Sequence, residues 1–348
     1  MSLRGRKAKI SELVEDDIRL WSALQRDASL TRTPFLSYGF AQAVQDTRGD
    51  TFAVALEDRG KIVGYFPFQY MKHRSLLRVA EKIGGHMSDF FDIVGSANHA
   101  FTGAELLRAA DLAAFRFDHL PAEFSHFSTG ETVSSHGMRV TLQDFSAYAA
   151  TLAKAQSKFS NAIHRGERQM NADIGDVIFS WQCENRQAEL ERLINVKREQ
   201  YARTGVKDAL APPWTRALFH RLLEGETRDV QVVLSTLYAG STWISTCLCL
   251  GYAETLHIWF PVYNADFRRY SPGNVLFLKL FEHGAAAGYR QFDFGEGVAE
   301  YKRRFLSDEY KVLQGANRSP SLLGFLDRIA QSAEWRWGSF RRSSSQPS

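Results

Sequence analysis

The sequence predicts an α/β protein with mixed (α+β) sheets, built from two similar halves, and three observations support this prediction. A helix-like stretch followed by two apolar runs around a glycine turn occurs twice, at nearly equal spacing. A strand–helix–strand pattern follows the second occurrence. The 348 residues, 44% of them hydrophobic, are too many for one ordinary domain and sufficient for two cores.

The repeated pattern opens each time with a proline followed by an aromatic residue. Pro34 opens PFLSYGFAQAVQDT, and the apolar runs TFAVALE and KIVGYFPFQ follow around Gly60. Pro213 opens PWTRALFHRLLEG, and VQVVLSTLY and STWISTCLCL follow around Gly240. Short apolar runs across a glycine-containing turn are typical of β-hairpins. We therefore predict two domains of one design, although helix-plus-hairpin units are common enough to recur by coincidence.

The region between the two units is predicted to be mainly helical. Residues 141–170 form a helix whose surface is partly basic, through Lys158, His164, Arg165 and Arg168. This face is either solvated or crossed by an anionic ligand. The strand VIFSWQCE and a helix over 186–204 follow. We place the domain boundary near 140–150, which gives domains at 1–145 and 146–318.

The second half continues with a series of strands and helices. In the strand ETLHIWFPVYN, one face carries Leu256, Ile258 and Phe260, and the other carries His257 and Trp259. The helix NVLFLKLFEHGAAAGYR, the strand QFDFG, a helical turn EYKRRFL and a strand near YKVLQGA follow. Hairpins followed by a β-α-β crossover predict a mixed sheet with helices on both sides.

The segment 319–348 is predicted to form an amphipathic helix and a mobile tail. Leu322, Leu323, Leu326 and Ile329 recur at helical spacing, and the end mixes Trp, Phe and Arg. We interpret it as a helix docked on the body. A helix that contacts a membrane surface or a partner is the alternative.

Charge and cysteine usage argue against several classes of protein. The 43 Lys and Arg against 39 Asp and Glu leave +4, too small an excess to indicate nucleic-acid binding. Three cysteines cannot form a disulfide framework, and Cys247 and Cys249 are predicted to share a strand face as buried thiols rather than metal ligands. No secretory signal or membrane-spanning run is visible, so we expect a soluble cytoplasmic protein.

Several catalytic motifs are absent from the sequence. It contains no G-x-x-x-x-G-K-[ST], no G-x-S-x-G, no H-E-x-x-H and no glycine-rich dinucleotide fingerprint after a strand. The ten histidines show no tight metal-ligand spacing. ATP hydrolysis, zinc hydrolysis and hydride transfer are therefore disfavoured, and we predict no metal site.

The first candidate for ligand binding is the helix start within RRYSPGN. Ser271 can cap the helix, Pro272 suits its first position, and Gly273 permits close approach of a ligand. Free N–H groups at such a start bind phosphate. An ordinary capped helix with exposed arginines is the alternative. The predicted cofactor-binding residues are Arg268, Arg269, Ser271, Pro272, Gly273 and Asn274.

The second candidate is the loop after QFDFG. Asp293 and Glu296 follow a strand at the mouth of a crossover, where open α/β sheets collect ligands. Tyr301 can donate a proton and Lys302 can hold an anion. The alternative is an ion-pair lattice that fixes the helix. In the first half, Asp89 and Asp92 form a similar acidic pair after two glycines, with a glycine turn carrying surface acids as the alternative.

The stretch from Tyr270 to Phe305 resembles the end of the acetyltransferase domain in the cellulose-biosynthesis (CelD/BcsL-like) family of the GNAT superfamily. The two-domain arrangement is similar to FemAB-type aminoacyl transferases. The resemblance covers about residues 20 to 315 and includes Pro34-Phe35 and Ser88-Asp89-Phe90. The family signature, roughly D-F-G-x-G-x-x-x-Y-K-x-x-F, stands here as Asp293, Phe294, Gly295, Gly297, Tyr301, Lys302 and Phe305.

The resemblance implies tandem GNAT-like domains of the acyl-CoA N-acyltransferase fold, and a thioester such as acetyl-CoA as donor. It also implies that the SPGN helix start binds the CoA pyrophosphate. RRYSPGN is poorer in glycine than the usual loop, so an acyl carrier protein or a charged tRNA stays open as donor. The expected acceptor is a small molecule or glycan precursor of polysaccharide or envelope biosynthesis. A non-catalytic regulator that binds acyl-CoA or a partner is the alternative.

Acyl transfer assigns roles to these candidates. An amine or hydroxyl that attacks a thioester needs a base, stabilisation of the oxyanion and an acid for the leaving thiolate. We predict Asp293 or Glu296 as the base, Tyr301 as the acid and Lys302 as the source of charge stabilisation. The predicted substrate-binding residues are Asp89, Asp92, His257 and Trp259.

Overall fold

A computed structural model describes residues 3–27, 32–72, 74–95, 101–122, 127–128, 131–225 and 227–331. The helices are α1 (Glu15–Asp27), α2 (Tyr38–Arg48), α3 (Gly103–Ala110), α4 (Phe145–Ala155), α5 (Ser157–Asp173), α6 (Arg186–Thr204), α7 (Pro213–Glu224), α8 (Pro272–Ala286), α9 (Glu300–Arg304) and α10 (322–331). The tail predicted after residue 331 lies outside the described residues.

Nine of the described strands lie in the first half of the chain and six lie in the second. They are β1 (Arg4–Lys9), β2 (Thr51–Asp58), β3 (Lys61–Tyr70), β4 (Val79–Glu81), β5 (Val94–Gly95), β6 (Phe101–Thr102), β7 (Ala114–Pro121), β8 (Phe127–Ser128), β9 (Glu131–Thr141), β10 (Val177–Ser180), β11 (Gln231–Ala239), β12 (Thr242–Tyr252), β13 (Thr255–Tyr263), β14 (Gln291–Glu296) and β15 (Asp308–Arg318).

Thirteen of these strands form one continuous sheet. Its order is β1-β2-β3-β4-β7-β15-β9-β14-β13-β12-β11-β10, with β5 paired to β3. The β4–β7 and β13–β14 pairs are parallel, and the remaining pairs of this sheet are antiparallel. The predicted mixed α/β fold is confirmed.

The two halves repeat one design. The series β2, β3, β4, α3 and β7 in the first half matches β11, β12, β13, α8 and β14 in the second. Both hairpins turn at the predicted glycines, Gly60 and Gly240, whose φ angles are 77° and 55°. Only glycine adopts such angles without strain. The duplication predicted from the repeated pattern is therefore confirmed.

The last strand of each half pairs with a strand of the other half. β9 follows β7 along the chain but pairs with β14, and β15 follows β14 but pairs with β7. β9 and β15 also pair with each other over nine positions, from Asp308↔Arg139 to Ala316↔Glu131. The sheet is therefore undivided at the predicted domain boundary, which lies between β9 and α4.

Three local details differ from the sequence predictions. The helix predicted over 141–170 is two helices, α4 and α5, which meet at Gln156. The strand β10 is shorter than VIFSWQCE, since it ends at Ser180. The β12–β13 register passes from Leu248↔Phe260 to Cys249↔Ile258, so β13 contains one extra residue. This bulge brings Phe260 into the core cluster of Trp259, away from the face of Ile258.

The two strand cysteines lie where the sequence places them. Cys247 and Cys249 are both buried in one core cluster, with their Sγ atoms 3.4 Å apart. Burial raises the pKa of the Cys247 thiol well above its ordinary value. The prediction of buried thiols on one strand face is confirmed.

The helix α10 docks on the body through its polar face. The buried Asp327 accepts hydrogen bonds from Arg116 at 2.6 Å and from Arg318 at 3.1 Å. The opposite face is exposed, with Leu322 at 74% and Phe325 at 59%. The sequence expectation of a helix docked by its apolar side is therefore wrong for the described residues. None of the described helices is long and apolar enough to cross a bilayer.

Gly166 lies in α5 where this helix contacts the turn before α8. A Cβ atom at this position would overlap the carbonyl oxygen of Tyr270. In an exposed helix, alanine is more favourable than glycine by about 1 kcal/mol. Gly166 is therefore explained by close approach of the backbone rather than by helix propensity.

We expect Gly166→Ala to lower the free energy of unfolding by about 1–3 kcal/mol, because α5 must move away from the turn. Thermal denaturation measures this change. The control is His164→Ala, on the exposed face of the same helix, which should leave the unfolding midpoint nearly unchanged. A raised midpoint for Gly166→Ala would contradict this packing.

Candidate functional site

The parallel strands β13 and β14 separate in the middle of the second half. They pair at Thr255↔Gln291, Leu256↔Phe292 and His257↔Asp293. Beyond this point, the described strands continue to Tyr263 and Glu296 without pairing to each other. The six steps from His257 to Tyr263 span about 20 Å at ~3.3 Å per residue. We call the space between residues 258–263 and 294–296 the strand cleft.

A cluster of carboxylates and imidazoles lies at the closed end of the strand cleft. Three of its residues come from the first half and three from the second. We use the name carboxylate–imidazole cluster for Asp89, Asp118, His119, His257, Asp293 and Glu296.

The imidazole of His257 lies between two carboxylates. Its Nε2 is 2.9 Å from Asp89 Oδ2, and its Nδ1 is 3.8 Å from Asp293 Oδ1. Asp293 accepts hydrogen bonds from the Gly295 N–H at 2.7 Å and from the Tyr310 hydroxyl at 2.9 and 3.1 Å. His257 and Asp293 are buried, whereas the Asp89 side chain is 28% exposed. Asp89 is therefore the residue of this series of side chains that a substrate can reach.

The imidazole of His119, in the first half, also lies between two carboxylates, one of them from the second half. Its Nε2 is 3.0 Å from Glu296 Oε2, and its Nδ1 is 2.8 Å from Asp118 Oδ1. The Lys82 ammonium pairs with Asp118. Glu296, whose side chain is 33% exposed, is the accessible residue of this second series of side chains. Nε2 of His119 is also 3.9 Å from Asp89 Oδ1, so the two accessible carboxylates flank one imidazole.

These contacts set the charges of the cluster. Burial and Lys82 lower the pKa of His119, but hydrogen bonds to Asp118 and Glu296 outweigh them and raise it to about 9. The hydrogen bond from His119 lowers the pKa of Glu296. Burial raises the pKa of Asp89, but the hydrogen bond and charge of His257 outweigh it, so the net shift is downward. At neutral pH, His119 is therefore charged and both accessible carboxylates are ionised.

Two backbone bulges direct these side chains. In β14 the register shifts between Asp293 and Glu296, and Gly295 has φ 66°. In β7 the corresponding shift spans residues 118 and 119, and His119 has φ 56°. A left-handed backbone costs a residue with a side chain on the order of 1–3 kcal/mol and is concentrated at functional sites. His119 therefore occupies the position in β7 that corresponds to Gly295 in β14.

Two of the four predicted catalytic residues, Asp293 and Glu296, belong to the cluster. Tyr301 lies beside the strand cleft, where its ring stacks on Phe277 at 5.8 Å and meets Phe294 edge-on at 6.3 Å. Its side chain is partly exposed. Burial raises the pKa of Tyr301 to about 12, so the hydroxyl stays protonated at neutral pH.

Lys302 is placed differently from the expected charge-stabilising role. Its buried ammonium donates hydrogen bonds to the carbonyl oxygens of Phe294, Glu296 and Gly297, at 3.1, 3.2 and 3.0 Å. These bonds occupy all three ammonium protons. In this arrangement Lys302 fixes the loop after β14 and does not face an incoming anion.

The predicted substrate-binding residues divide into two groups. Asp89 and His257 are in the cluster. Asp92 and Trp259 are core residues, which a substrate does not reach in this structure. Asp92 accepts the Ile93 N–H at 2.7 Å, and burial raises its pKa. The Trp259 ring packs against Phe219 at 5.1 Å, because its strand face is covered by the packed halves.

The predicted helix start has space for a ligand. Pro272 is the first residue of α8 and Ser271 is its N-cap, but the Ser271 hydroxyl makes no capping hydrogen bond. A Cβ added at Gly273 would approach only Tyr263 among the described residues, at 3.9 Å. Neither φ nor packing requires a glycine here. The open space beside it fits a bound phosphate group.

The predicted arginines flank this helix start. Arg268 and Arg269 are both exposed. Arg269 lies 3.6 Å from Asp173 and stacks on the Tyr270 ring, while Asn274 donates its backbone N–H to the Ser271 carbonyl at 3.0 Å. The two guanidinium groups are therefore available at the surface beside Gly273.

Sequence reasoning missed four residues of the site. These are Lys82, Asp118, His119 and Tyr310. An alignment of the two halves would have pointed to His119, since it takes the place of Gly295 at the bulge. Among the described residues, no group of three or more His, Cys, Asp or Glu side chains is arranged to hold a metal ion.

A comparison with known protein families finds a match in the second half of the chain. Residues 157–303 match the family model described as an acetyltransferase (GNAT) domain. The comparison with curated proteins found no match.

Solved structures of similar fold cover both halves. The C-terminal domain (DUF2156) of a putative lysylphosphatidylglycerol synthetase from Agrobacterium fabrum has 14% identity and a TM-score of 0.53, over 90% of this chain and 96% of that one. FemX has 8% identity and a TM-score of 0.54, over 88% and 96%. A conserved protein of unknown function from Bacteroides thetaiotaomicron has 11% identity and a TM-score of 0.53, over 87% and 98%.

The matched residues 157–303 contain β10 to β14, the strand cleft and the helix start at Gly273. At these identities the structural matches show a shared fold. They do not show that any substrate is shared. The repeated design and the strand exchange extend the same architecture over the first half. Residues 157–303 therefore match a GNAT acetyltransferase domain, and the chain as a whole has the mixed α/β fold of two GNAT-like halves.

Proposed function

We propose that this protein is an acyltransferase that moves an acyl group from a CoA thioester to an amine or hydroxyl acceptor at the carboxylate–imidazole cluster. The observation that carries the proposal is the position of two ionised, partly exposed carboxylates, Asp89 and Glu296, at the closed end of the strand cleft. The CelD/BcsL-like resemblance supports a cytoplasmic acceptor of polysaccharide or envelope biosynthesis.

The helix start supports a CoA donor. The start of α8 at Gly273, with Arg268 and Arg269, would hold a pyrophosphate, because the helix dipole and both guanidinium groups favour negative charge. The cleft runs from there to the cluster and has the partly exposed rings of Tyr263 and Tyr301 beside it. When bound, an acyl-CoA would supply the thioester whose carbonyl carbon the acceptor attacks, with CoA as the leaving thiolate.

The cluster supplies the acceptor site and the base. Asp89 and Glu296 attract a protonated amine; one carboxylate takes the proton whose loss frees the nitrogen lone pair, and the other takes the proton that the amine or hydroxyl loses as it attacks. His257 and His119 orient these carboxylates, and Asp293 holds the His257 ring. Orientation of two bound substrates is itself a large contribution to the rate.

Two further residues complete the proposal. Tyr301 stays protonated at neutral pH and lies beside the cleft, so it is suited to donate a proton to the leaving thiolate. Lys302 acts as a positioning residue, because it fixes the carbonyl of Glu296 and the loop that follows.

A second candidate is aminoacyl transfer from a charged tRNA. The observation that favours it is the exposed basic face of α5, where Lys158, His164, Arg165 and Arg168 lie on the helix that contacts the turn before α8. The fold shared with a putative lysylphosphatidylglycerol synthetase is compatible with it. Tight binding of tRNA that weakens steeply with salt would favour this donor over CoA.

The donor is tested by thermal stability with acetyl-CoA, longer acyl-CoAs and free CoA. A ligand at a hundred times its dissociation constant stabilises the protein by about 2.7 kcal/mol. We expect a raised midpoint with at least one acyl-CoA and a smaller rise for Gly273→Ala, whose Cβ fills the open space. The variant alone should be as stable as the wild type. No rise with any of these ligands would exclude the CoA donor.

The base is tested by thiol release from the acyl-CoA that binds, measured with a panel of amine and hydroxyl acceptors. We expect Glu296→Gln and Asp89→Asn each to lower turnover by about 10²–10⁴-fold, because the proton acceptor is lost. Glu300→Gln, an exposed carboxylate on α9, is the control and should retain full turnover. Tyr301→Phe with unchanged turnover would remove Tyr301 from the mechanism.

The ion pairs of His119 predict a pH-dependent stability. Because its pKa rises from 6.5 to about 9 on folding, the stabilisation is complete below pH 6.5 and is lost as the pH rises through about 9. The midpoint difference between wild type and His119→Gln should therefore be largest near pH 6.5, shrink as the pH rises towards 9, and stay small above pH 9. The exposed His164→Gln should show no such trend. A constant difference for His119→Gln would contradict the charged imidazole.

A further inference from the structure

The helices α4 and α5 are an addition to the repeated design. The first half begins with β1, α1 and α2, and the matching series in the second half is β10, α6 and α7. No described element of the first half corresponds to α4 and α5, which precede β10. The added helix α5 packs at the start of α8, the place proposed above for the CoA pyrophosphate.

Two contacts fix the orientation of α5 against α8. The backbone at Gly166 lies against the carbonyl oxygen of Tyr270, and the Glu167 carboxylate pairs with Lys279 of α8 at 3.1 Å. Tyr270 precedes α8 and Lys279 lies within it, so the direction from one to the other is the direction in which α8 runs. The side of α5 that carries Glu167 therefore faces along α8, and the opposite side lies beyond the start of α8.

Helix geometry places two basic side chains on this opposite side. Successive residues of an α-helix are about 100° apart, so Arg165 and Glu167 extend from Gly166 in opposite directions. Lys158 precedes Arg165 by about two turns and shares its side of the helix. Both basic side chains are exposed, and neither pairs with a carboxylate among the described residues. We call Lys158 and Arg165 the basic flank.

The basic flank extends the positive surface that Arg268 and Arg269 form before α8. Arg269 lies 3.6 Å from the half-exposed Asp173, and the turn itself adds one exposed carboxylate, Asp266. A pyrophosphate diester carries two negative charges, which Arg268, Arg269 and the helix dipole already match. The basic flank is therefore left for a further anionic group.

We propose that the basic flank binds the 3′-phosphate of coenzyme A. The assignment rests on the proposed CoA donor, because a pyrophosphate at the start of α8 places the adenosine ribose, which carries the 3′-phosphate, beside it. A phosphate monoester has a charge of about −1.5 to −2 at neutral pH and three strong acceptor oxygens, which suit a lysine and an arginine. Dephospho-CoA lacks only this group and would keep the other contacts.

The basic flank is only part of the basic surface of α5. Arg168 is also exposed, but it lies about 200° from Gly166 and so points away from the start of α8. A nucleic acid bound along α5 would contact Arg168 as well, because its phosphates continue along the strand. A 3′-phosphate would contact the basic flank alone. The contribution of Arg168 therefore distinguishes CoA from tRNA.

Calorimetric dissociation constants of CoA and dephospho-CoA, measured with the full chain, test this assignment. We expect the wild type to bind CoA about ten-fold more tightly, by a margin that shrinks as salt is raised, because two surface cations meet one phosphate. Lys158→Gln/Arg165→Gln should bind both ligands equally, with little change in its affinity for dephospho-CoA. The control Arg168→Gln/Arg203→Gln also removes two exposed positive charges and should keep the wild-type margin.

Four results would overturn the assignment. Equal affinities of the wild type for CoA and dephospho-CoA would do so and leave the CoA donor in place. A variant Lys158→Gln/Arg165→Gln that keeps the margin would place the 3′-phosphate elsewhere, and a control that loses it would show an effect of net charge. Tight tRNA binding that both double variants weaken would assign the whole basic surface to nucleic acid. A wild type that binds neither CoA nor dephospho-CoA would instead refute the proposed donor, and the 3′-phosphate site with it.

Discussion

The exchange of strands β9 and β15 is the constraint on which the structure depends. Each strand pairs with its counterpart and with a strand of the other half, so the hydrogen bonds of the central sheet cannot be divided between two independent domains. This pairing also builds the site. Tyr310 on β15 reaches Asp293 on β14 only because Gly137, opposite it on β9, leaves room for its ring.

The site follows the same reciprocity. The second half's His257 binds the first half's Asp89, and the first half's His119 binds the second half's Glu296. Burying charged groups is costly unless they are paired, and here each imidazole receives one of its two carboxylate partners from the other half. The cluster is therefore complete only when both halves are packed together, even though the matched GNAT domain lies within the second half.

The sequence predicted most of the elements and part of the site. Hydrophobic periodicity, with glycine and proline punctuation, located both hairpins, α8 and β14. The position of Asp293 and Glu296 after a strand at a crossover identified these two carboxylates. Periodicity and motifs did not reveal His119, because its role depends on a bulge and on Glu296, a partner far away in the chain. Periodicity also groups side chains by face without saying which face docks. For this reason the sequence did not predict that Trp259 lies in the core or that the apolar side of α10 faces outward.

The strand exchange has a consequence for synthesis on the ribosome. β7 ends at Pro121, but the strand that pairs with its open edge begins at Asp308. The first half therefore emerges with an unpaired edge and keeps it until nearly the whole chain has been made. Pairings this distant in sequence form slowly and leave a nascent chain open to association with others. The first half is thus synthesised first, but the pairing of its last open strand edge forms last.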